Sequence, residues 1–154
     1  MLLCCTGTRH ATIADHGLIV RQAILAAVPI DDPGPLELYV GDANGVDLIV
    51  RQFARLAVIK LHEFEANWDE CAANCNTGHR RPYKHGRGDY CPQAGVRRNH
   101  TMLRAYAEAG GRLVLPFPAA NARSSGTNGC VAAAKRAVLD VAEPIPLTVQ
   151  VSAR

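Results

Sequence analysis

Cys71, Cys75, His79 and Cys91, close together in one polar stretch of a 154-residue chain, are the side chains best suited to chemistry. The C-x3-C-x3-H spacing followed by Cys91 offers three thiolates and an imidazole, a donor set that fits tetrahedral zinc. With all four positions filled by protein atoms, the metal would order the loop without activating water. His85 is the alternative imidazole, and reduced thiols without metal or a disulfide are the other readings of the same residues. A segment this polar has little core of its own, and metal binding is the simplest way for it to hold one shape. The zinc-binding insertion is accordingly placed at 69–93.

A second group of residues suits phosphate and sugar. Thr6-Gly7-Thr8-Arg9 supplies backbone N–H groups, two hydroxyls and a guanidinium, which is equipment for holding phosphate. In Gly41-Asp42-Ala43-Asn44-Gly45-Val46-Asp47 the glycines permit close backbone approach. Its carboxylates, Asp42 and Asp47, could accept sugar hydroxyls or act as a general base; the structural alternative is that Asp42 caps a helix and Asp47 favours its dipole. Arg98 and Asn99 could clamp phosphate and purine or ribose. Ser124-Ser125-Gly126-Thr127 stands just before a predicted helix, where free N–H groups attract anions; a plain capped helix is the alternative. Asp42, Asp47 and Asn99 are the candidate catalytic residues. Gly7, Thr8, Arg9, Gly41, Asp42, Gly45, Asp47, Arg98, Asn99, Gly126 and Thr127 are the candidate ligand-binding residues.

These residues need elements to position them, and the hydrophobic pattern supplies an alternating order. Leu2 to Thr6 reads as a first buried strand and His16 to Val28 as a helix, stopped by Pro29 and Asp31-Asp32-Pro33-Gly34-Pro35. Leu36 to Val40 is a second strand, Val46 to Ala57 a helical stripe and Val58 to Phe64 a third strand. The pattern breaks from Ala66 to Ala94. It resumes with a helix from Val96 to Ala107, a strand from Leu113 to Phe117, a loop from Pro118 to Gly129, a helix from Cys130 to about Leu139 and a last strand from Ile145 to Val149. Alternating strands and helices build a parallel sheet covered on both faces. The predicted fold is therefore α/β: a single Rossmann-like domain over 1–154 with a mostly parallel five-stranded sheet and a Cys/His-rich insertion. In such a sheet ligands bind beyond the carboxyl ends of the strands, so the three glycine-containing loops are expected to converge there.

Composition agrees with an ordinary globular domain: 48% of residues are hydrophobic and 20% charged. No apolar run approaches the roughly 20 residues needed to span a bilayer, and the start lacks the features of a signal peptide. A cytoplasmic protein without membrane partners is expected, with its cysteines mostly reduced. Cys4, Cys5 and Cys130 stand among apolar or small residues and read as buried thiols. The net charge is +3, yet between His79 and Arg104 seven bases (Arg80, Arg81, Lys84, Arg87, Arg97, Arg98 and Arg104) face only Asp89. Phosphate or another anion is the expected partner of that stretch, and a solvated basic loop is the alternative.

Taken in order, Thr6-Gly7-Thr8-Arg9, Gly41-Asp42-Ala43-Asn44-Gly45-Val46-Asp47, Ala66-Asn67-Trp68, Gly95-Val96-Arg97-Arg98-Asn99-His100-Thr101-Met102, Phe117-Pro118 and Gly126-Thr127 resemble the YspA-type branch of the SLOG superfamily. That superfamily includes the LOG phosphoribohydrolases and the DNA-processing protein DprA. The resemblance runs from the first strand to about Val138 and implies a crevice that binds or senses a nucleotide or nucleotide-derived small molecule. It also implies two alternatives: a phosphoribohydrolase cleaving the base from a nucleoside monophosphate, or a protein that grips single-stranded nucleic acid through its basic insertion. A homodimer is a further implication. The enzymes of the family use an Arg and the Glu of PGGxGTxxE. Here Cys130 stands at the Glu position and Pro118-Ala119-Ala120 lacks the paired glycines, and a thiol does not replace a carboxylate at an oxocarbenium-like centre. Binding without hydrolysis is the expectation.

Overall fold

A computed structural model describes residues 1–29, 31, 34–76, 78–83 and 88–150. The chain runs β1 (Leu2–Gly7), α1 (Ile13–Ala26), β2 (Glu37–Gly41), α2 (Val46–Leu56), β3 (Lys60–Phe64), β4 (Arg81–Pro82), β5 (Asp89–Tyr90), α3 (Ala94–Glu108), β6 (Leu113–Phe117), α4 (Ser125–Arg136) and β7 (Asp140–Val141). Five strands form one sheet in the order β3-β2-β1-β6-β7, every neighbouring pair parallel. β4 and β5 form a separate two-residue antiparallel hairpin inside the insertion.

Strand side chains alternate between the two faces of a sheet, and here the alternation separates two cores. Leu3, Cys5, Leu38, Val40, Leu115 and Phe117 pack with Val20 and Ile24 of α1 and Val46, Ile49, Val50 and Ala54 of α2. Cys4, Tyr39 and Val114 pack on the other face with Met102, Leu103 and Tyr106 of α3 and Cys130, Ala133 and Ala134 of α4. Cys4, Cys5 and Cys130 are thus fully buried thiols, as expected. Burial pushes Cys5 up to about 12 and raises Cys4 and Cys130, so all three stay protonated at neutral pH.

The five-stranded α/β reading stands, but the fifth strand is not the predicted one. Asp140–Val141 pairs with Leu113 and Val114. The segment 145–149 instead forms one isolated parallel bridge, Leu147 with Ala119. Leu147 and Val149 are buried in the α1/α2 core, so the apolar pattern marked burial correctly and sheet membership incorrectly. α4 also starts at Ser125, five residues before the predicted Cys130, because its first turn is built from polar and small residues that carry no apolar stripe. Val58 belongs to no strand: with φ of +54° it terminates α2. α1 starts earlier than predicted, with the Thr12 hydroxyl accepting from Asp15 N at 3.1 Å.

The sheet order places a topological switch between β1 and β6. From β1 the chain moves outward through β2 to β3, then crosses back to lay β6 on the opposite side of β1. The carboxyl ends of β1 and β6 lie side by side, with Gly7 in register with Phe117. In open α/β sheets a crevice forms at this position.

Candidate functional site

At the switch the loop after β1 is held by its neighbours through the backbone. Thr8 N donates to Phe117 O at 2.9 Å, and Val46 N, the first N–H of α2, donates to Thr8 O at 3.1 Å. Gly45 makes this approach possible. Its φ is +79°, and a Cβ there would lie 2.2 Å from Thr8 O. The Thr6–Arg9 and Gly41–Asp47 loops therefore meet, as predicted. Thr8 is buried and Arg9 exposed. On the other side of the switch, Ser124 is the N-cap of α4 but makes no side-chain cap. Its Oγ accepts from Ala119 N at 2.7 Å instead, so among the described residues the first-turn N–H groups of α4 have no side-chain cap. Gly126 lies in that turn, exposed and with open space beside it. Thr127 is buried, as is Cys130.

One strand further out, Asp42, Asp47 and Arg98 form a compact charge cluster. Arg98 Nη1 lies 3.1 Å from Asp42 Oδ1 and 3.4 Å from Asp47 Oδ2, and donates to Phe64 O at 3.3 Å. The guanidinium lies over Gly41, where a Cβ would be 1.3 Å from Nη1. Asp42 Oδ2 accepts from Ala66 N, and Asp47 Oδ2 from Ala43 N. Neither carboxylate caps α2. Burial pushes Asp47 up to about 6, against the pull of Arg98 and the Ala43 N–H. Asp42 Oδ1 and Arg98 Nε are buried without a hydrogen-bond partner among the described residues. Asn99 follows, half-buried. A cleft of about 190 Å³ opens beside Arg98, lined also by Phe64, Glu65, Asn67, Ala94, Arg97 and Thr101. It takes in none of Gly7, Thr8, Arg9, Gly126 or Thr127.

The insertion gathers the four predicted metal ligands. The donor atoms of Cys71, Cys75, His79 and Cys91 all lie within 4.8 Å of one another, and no disulfide joins them. Cys75 Sγ is 3.9 Å from Cys91 Sγ, and His79 Nε2 is 3.4 Å from Cys71 Sγ and 3.2 Å from Cys91 Sγ. A tetrahedral zinc with ~2.3 Å bonds to sulfur has sulfur–sulfur edges of roughly 3.7 Å. The cluster could hold a metal ion. His79 Nδ1 bonds the carbonyl of Asn76, which leaves Nε2 facing the sulfurs, the usual outer support of a ligating imidazole. Arg80 Nη1 donates to Cys71 Sγ at 3.3 Å, and Arg97 Nη1 to Cys75 Sγ at 3.5 Å and Cys91 Sγ at 3.4 Å. Burial opposes ionisation of Cys91, but the Arg97 and His79 hydrogen bonds bring its thiol down to about 6. His85, the alternative imidazole, and the basic residues Lys84 and Arg87 lie outside the described residues.

Sequence reasoning missed Arg97, whose two sulfur contacts tie the cluster to α3. A basic residue beside Arg98 carries no sign of this partner until Cys75 and Cys91 are brought together. Arg51, paired with Glu63 and donating to Ala43 O at 3.2 Å, supports the 41–47 loop and was equally illegible. Among the described residues no helix is long and apolar enough to cross a membrane. Neither protein-family models nor curated proteins give a match to this chain.

Proposed function

We propose that the chain binds a nucleotide or nucleotide-derived small molecule in the crevice beyond the carboxyl ends of β1 and β6. The observation that carries this reading is the first turn of α4. Ser124 bonds Ala119 N rather than capping the helix, which leaves first-turn N–H groups without a side-chain cap among the described residues, and the positive end of the dipole, for an anion next to the Thr6–Arg9 loop. Arg9, exposed at that loop, would supply a guanidinium. Asp42, Asp47 and Arg98 spend their charges on one another, which suits them to shaping the wall of the site more than to gripping phosphate. The order of motifs resembling the SLOG superfamily supports the same ligand class.

Binding is favoured over base hydrolysis. Where the resemblance places a catalytic glutamate, Cys130 is fully buried and its thiol raised by that burial, and Asp47 is itself buried. A small anion is favoured over a nucleic acid because three of the seven bases between His79 and Arg104 are already engaged. Arg80 pairs with Asp89, Arg97 faces the cysteines and Arg98 faces two aspartates. In the insertion we assign the metal as zinc, on the three-sulfur, one-nitrogen donor set and the closed shell of protein ligands.

Mass spectrometry of small molecules released by denaturing the purified protein tests the ligand reading. A phosphorylated nucleoside or derivative near one equivalent is expected, and the Arg9→Ala variant should carry less. Release of no phosphorylated compound, together with no calorimetric binding of adenosine 5′-monophosphate, would sink it. Elemental analysis without added metal should give about one zinc per chain, as a closed structural site retains its ion.

A further inference from the structure

Arg97 and Arg98 are consecutive in α3, and an α-helix turns ~100° per residue, so their guanidinium groups leave the helix in different directions. Arg97 reaches into the insertion, to Cys75 and Cys91 through Nη1 and to Glu70 O at 2.7 Å through Nη2. Arg98 reaches the sheet edge, to Asp42, Asp47 and Phe64 O. Cys91 itself abuts the helix. Its N–H donates to Trp68 O at 2.8 Å, and its carbonyl accepts from Ala94 N, the first N–H of α3, at 3.1 Å. Trp68 in turn lies against Gly95, where a Cβ would meet the indole at 3.2 Å.

The first turn of α3 has few stabilisers of its own. Its N-cap, Gln93, makes no side-chain cap hydrogen bond, and the turn holds no acidic residue but does hold Arg97, a cation at the end where the dipole disfavours one. The turn is therefore fixed from outside, by the Cys/His cluster on one side and the aspartate pair on the other.

We infer that metal occupancy of the Cys71/Cys75/His79/Cys91 centre sets the first turn of α3, and with it the placement of Arg98 at the sheet edge. The consequence for ligand binding rests on the proposed nucleotide-derived ligand crevice, whose wall Arg98 helps to shape. With the ion bound, three thiolates are fixed in place and their negative charge holds Arg97. With the ion removed, the four side chains lose their common tie, and among the described residues the limbs of the insertion are paired by a hairpin ladder of only two residues per strand. The first turn then frays and Arg98 leaves half-buried Asp42 and buried Asp47. Coupling of this kind is reciprocal: a ligand that requires Arg98 in place must tighten metal binding by the same factor.

Hydrogen–deuterium exchange on the full chain, zinc-loaded and chelator-stripped, tests the inference. Amides 94–100 are expected to exchange about 10-fold faster or more in the stripped protein, a mid-range allosteric coupling, while those of α1 and α2 are unchanged. Equal exchange at 94–100 in the two forms would overturn it, as would a loss of protection throughout the molecule. Arg97→Ala, shown by elemental analysis to keep its zinc, should exchange like the stripped protein, and Arg97→Lys should fall between. A zinc-loaded Arg97→Ala protein with unchanged protection would remove Arg97 from the linkage and overturn the route argued here. Calorimetry with adenosine 5′-monophosphate forms a separate arm. About 10-fold weaker binding to the stripped protein is expected, and equal binding would overturn the control of the ligand site. Binding to neither form, with the exchange difference intact, would overturn the nucleotide reading and leave the control of α3 supported.

Discussion

Gly41 and Asp47 show how tightly the charge cluster constrains single positions. Gly41→Ala would place a methyl group 1.3 Å from Arg98 Nη1 and 2.6 Å from Asp47 Oδ2, so Arg98 has to leave its present contacts. A loss of about 2 kcal/mol in unfolding free energy is expected from overpacking of this kind, read from urea denaturation. Asp47 carries a pH signature. Its carboxyl rises from the ordinary 3.8 to about 6 because burial penalises the charged form, so the folded protein holds this proton more tightly than the unfolded chain does. The contribution to stability is complete below the unfolded value near 4 and is lost as pH rises through about 6. It should amount to roughly 3 kcal/mol at most, at ~1.4 kcal/mol per pKa unit. In Asp47→Asn the dependence disappears. The stability of the native chain minus that of the variant should therefore fall between pH 4 and 6 and level off near pH 7. A flat difference across that range would show Asp47 to be already ionised at acid pH.

Helix ends account for much of what sequence patterns misplaced. α2 and α4 both end in the sequence Ala-Val followed by a second aliphatic residue, and in each the valine adopts positive φ, +54° at Val58 and +57° at Val138. The next N–H closes back on the helix, Ile59 to Ala54 O at 2.8 Å and Leu139 to Ala134 O at 3.0 Å. This is the Schellman arrangement that usually uses glycine, as α3 does with Gly110 at +87°. Both valines are more than nine-tenths exposed, so they gain no burial to offset the strained backbone. Val58→Gly and Val138→Gly should each stabilise the protein by about 1 kcal/mol, measurable by thermal or urea unfolding, with no effect on metal content. Unchanged or lower stability in both would mean that the entropy glycine adds to the unfolded chain cancels the relief of strain.

At the scale of the whole molecule, the segment after β7 works as a strap across the α1/α2 face. Asn121 pins it twice, with Nδ2 donating to Val149 O at 2.8 Å and Oδ1 accepting from Val149 N at 2.9 Å, and the His16 ring bonds Thr148 O at 2.9 Å. Leu147 and Val149 fill the core beneath it. Asn121→Ala should cost about 2 kcal/mol, since it breaks two hydrogen bonds at ~1 kcal/mol each. It should also make the 143–150 segment the first site of proteolytic cleavage. If cleavage begins elsewhere, the strap is held mainly by its apolar contacts. With zinc in the Cys/His cluster as proposed, a chelator should disorder the insertion while the five-stranded sheet keeps its far-ultraviolet signature. The two cores are built from strand and helix residues outside the cluster.

Periodicity was enough to determine the alternating α/β order, the parallel sheet and the two-faced cover. Those features follow from local apolar spacing, and few topologies accept it. That Cys71, Cys75, His79 and Cys91 gather into a cluster that could hold a metal ion was legible for a similar reason: thiol and imidazole at short spacing have few other uses in a polar segment. Three features were decided only by tertiary structure. The fifth strand is Asp140–Val141 and not 145–149, since an apolar pattern reports burial and is silent on which neighbour supplies the hydrogen bonds. Arg98 faces Asp42 and Asp47, and Arg97 faces Cys75 and Cys91. A guanidinium has the same appearance in sequence whether it meets a ligand, a carboxylate or a thiolate, and its partners here lie as many as 56 positions away. Packing chose among them, because burying a cation requires an opposite charge within reach, and only the closed fold brings one there.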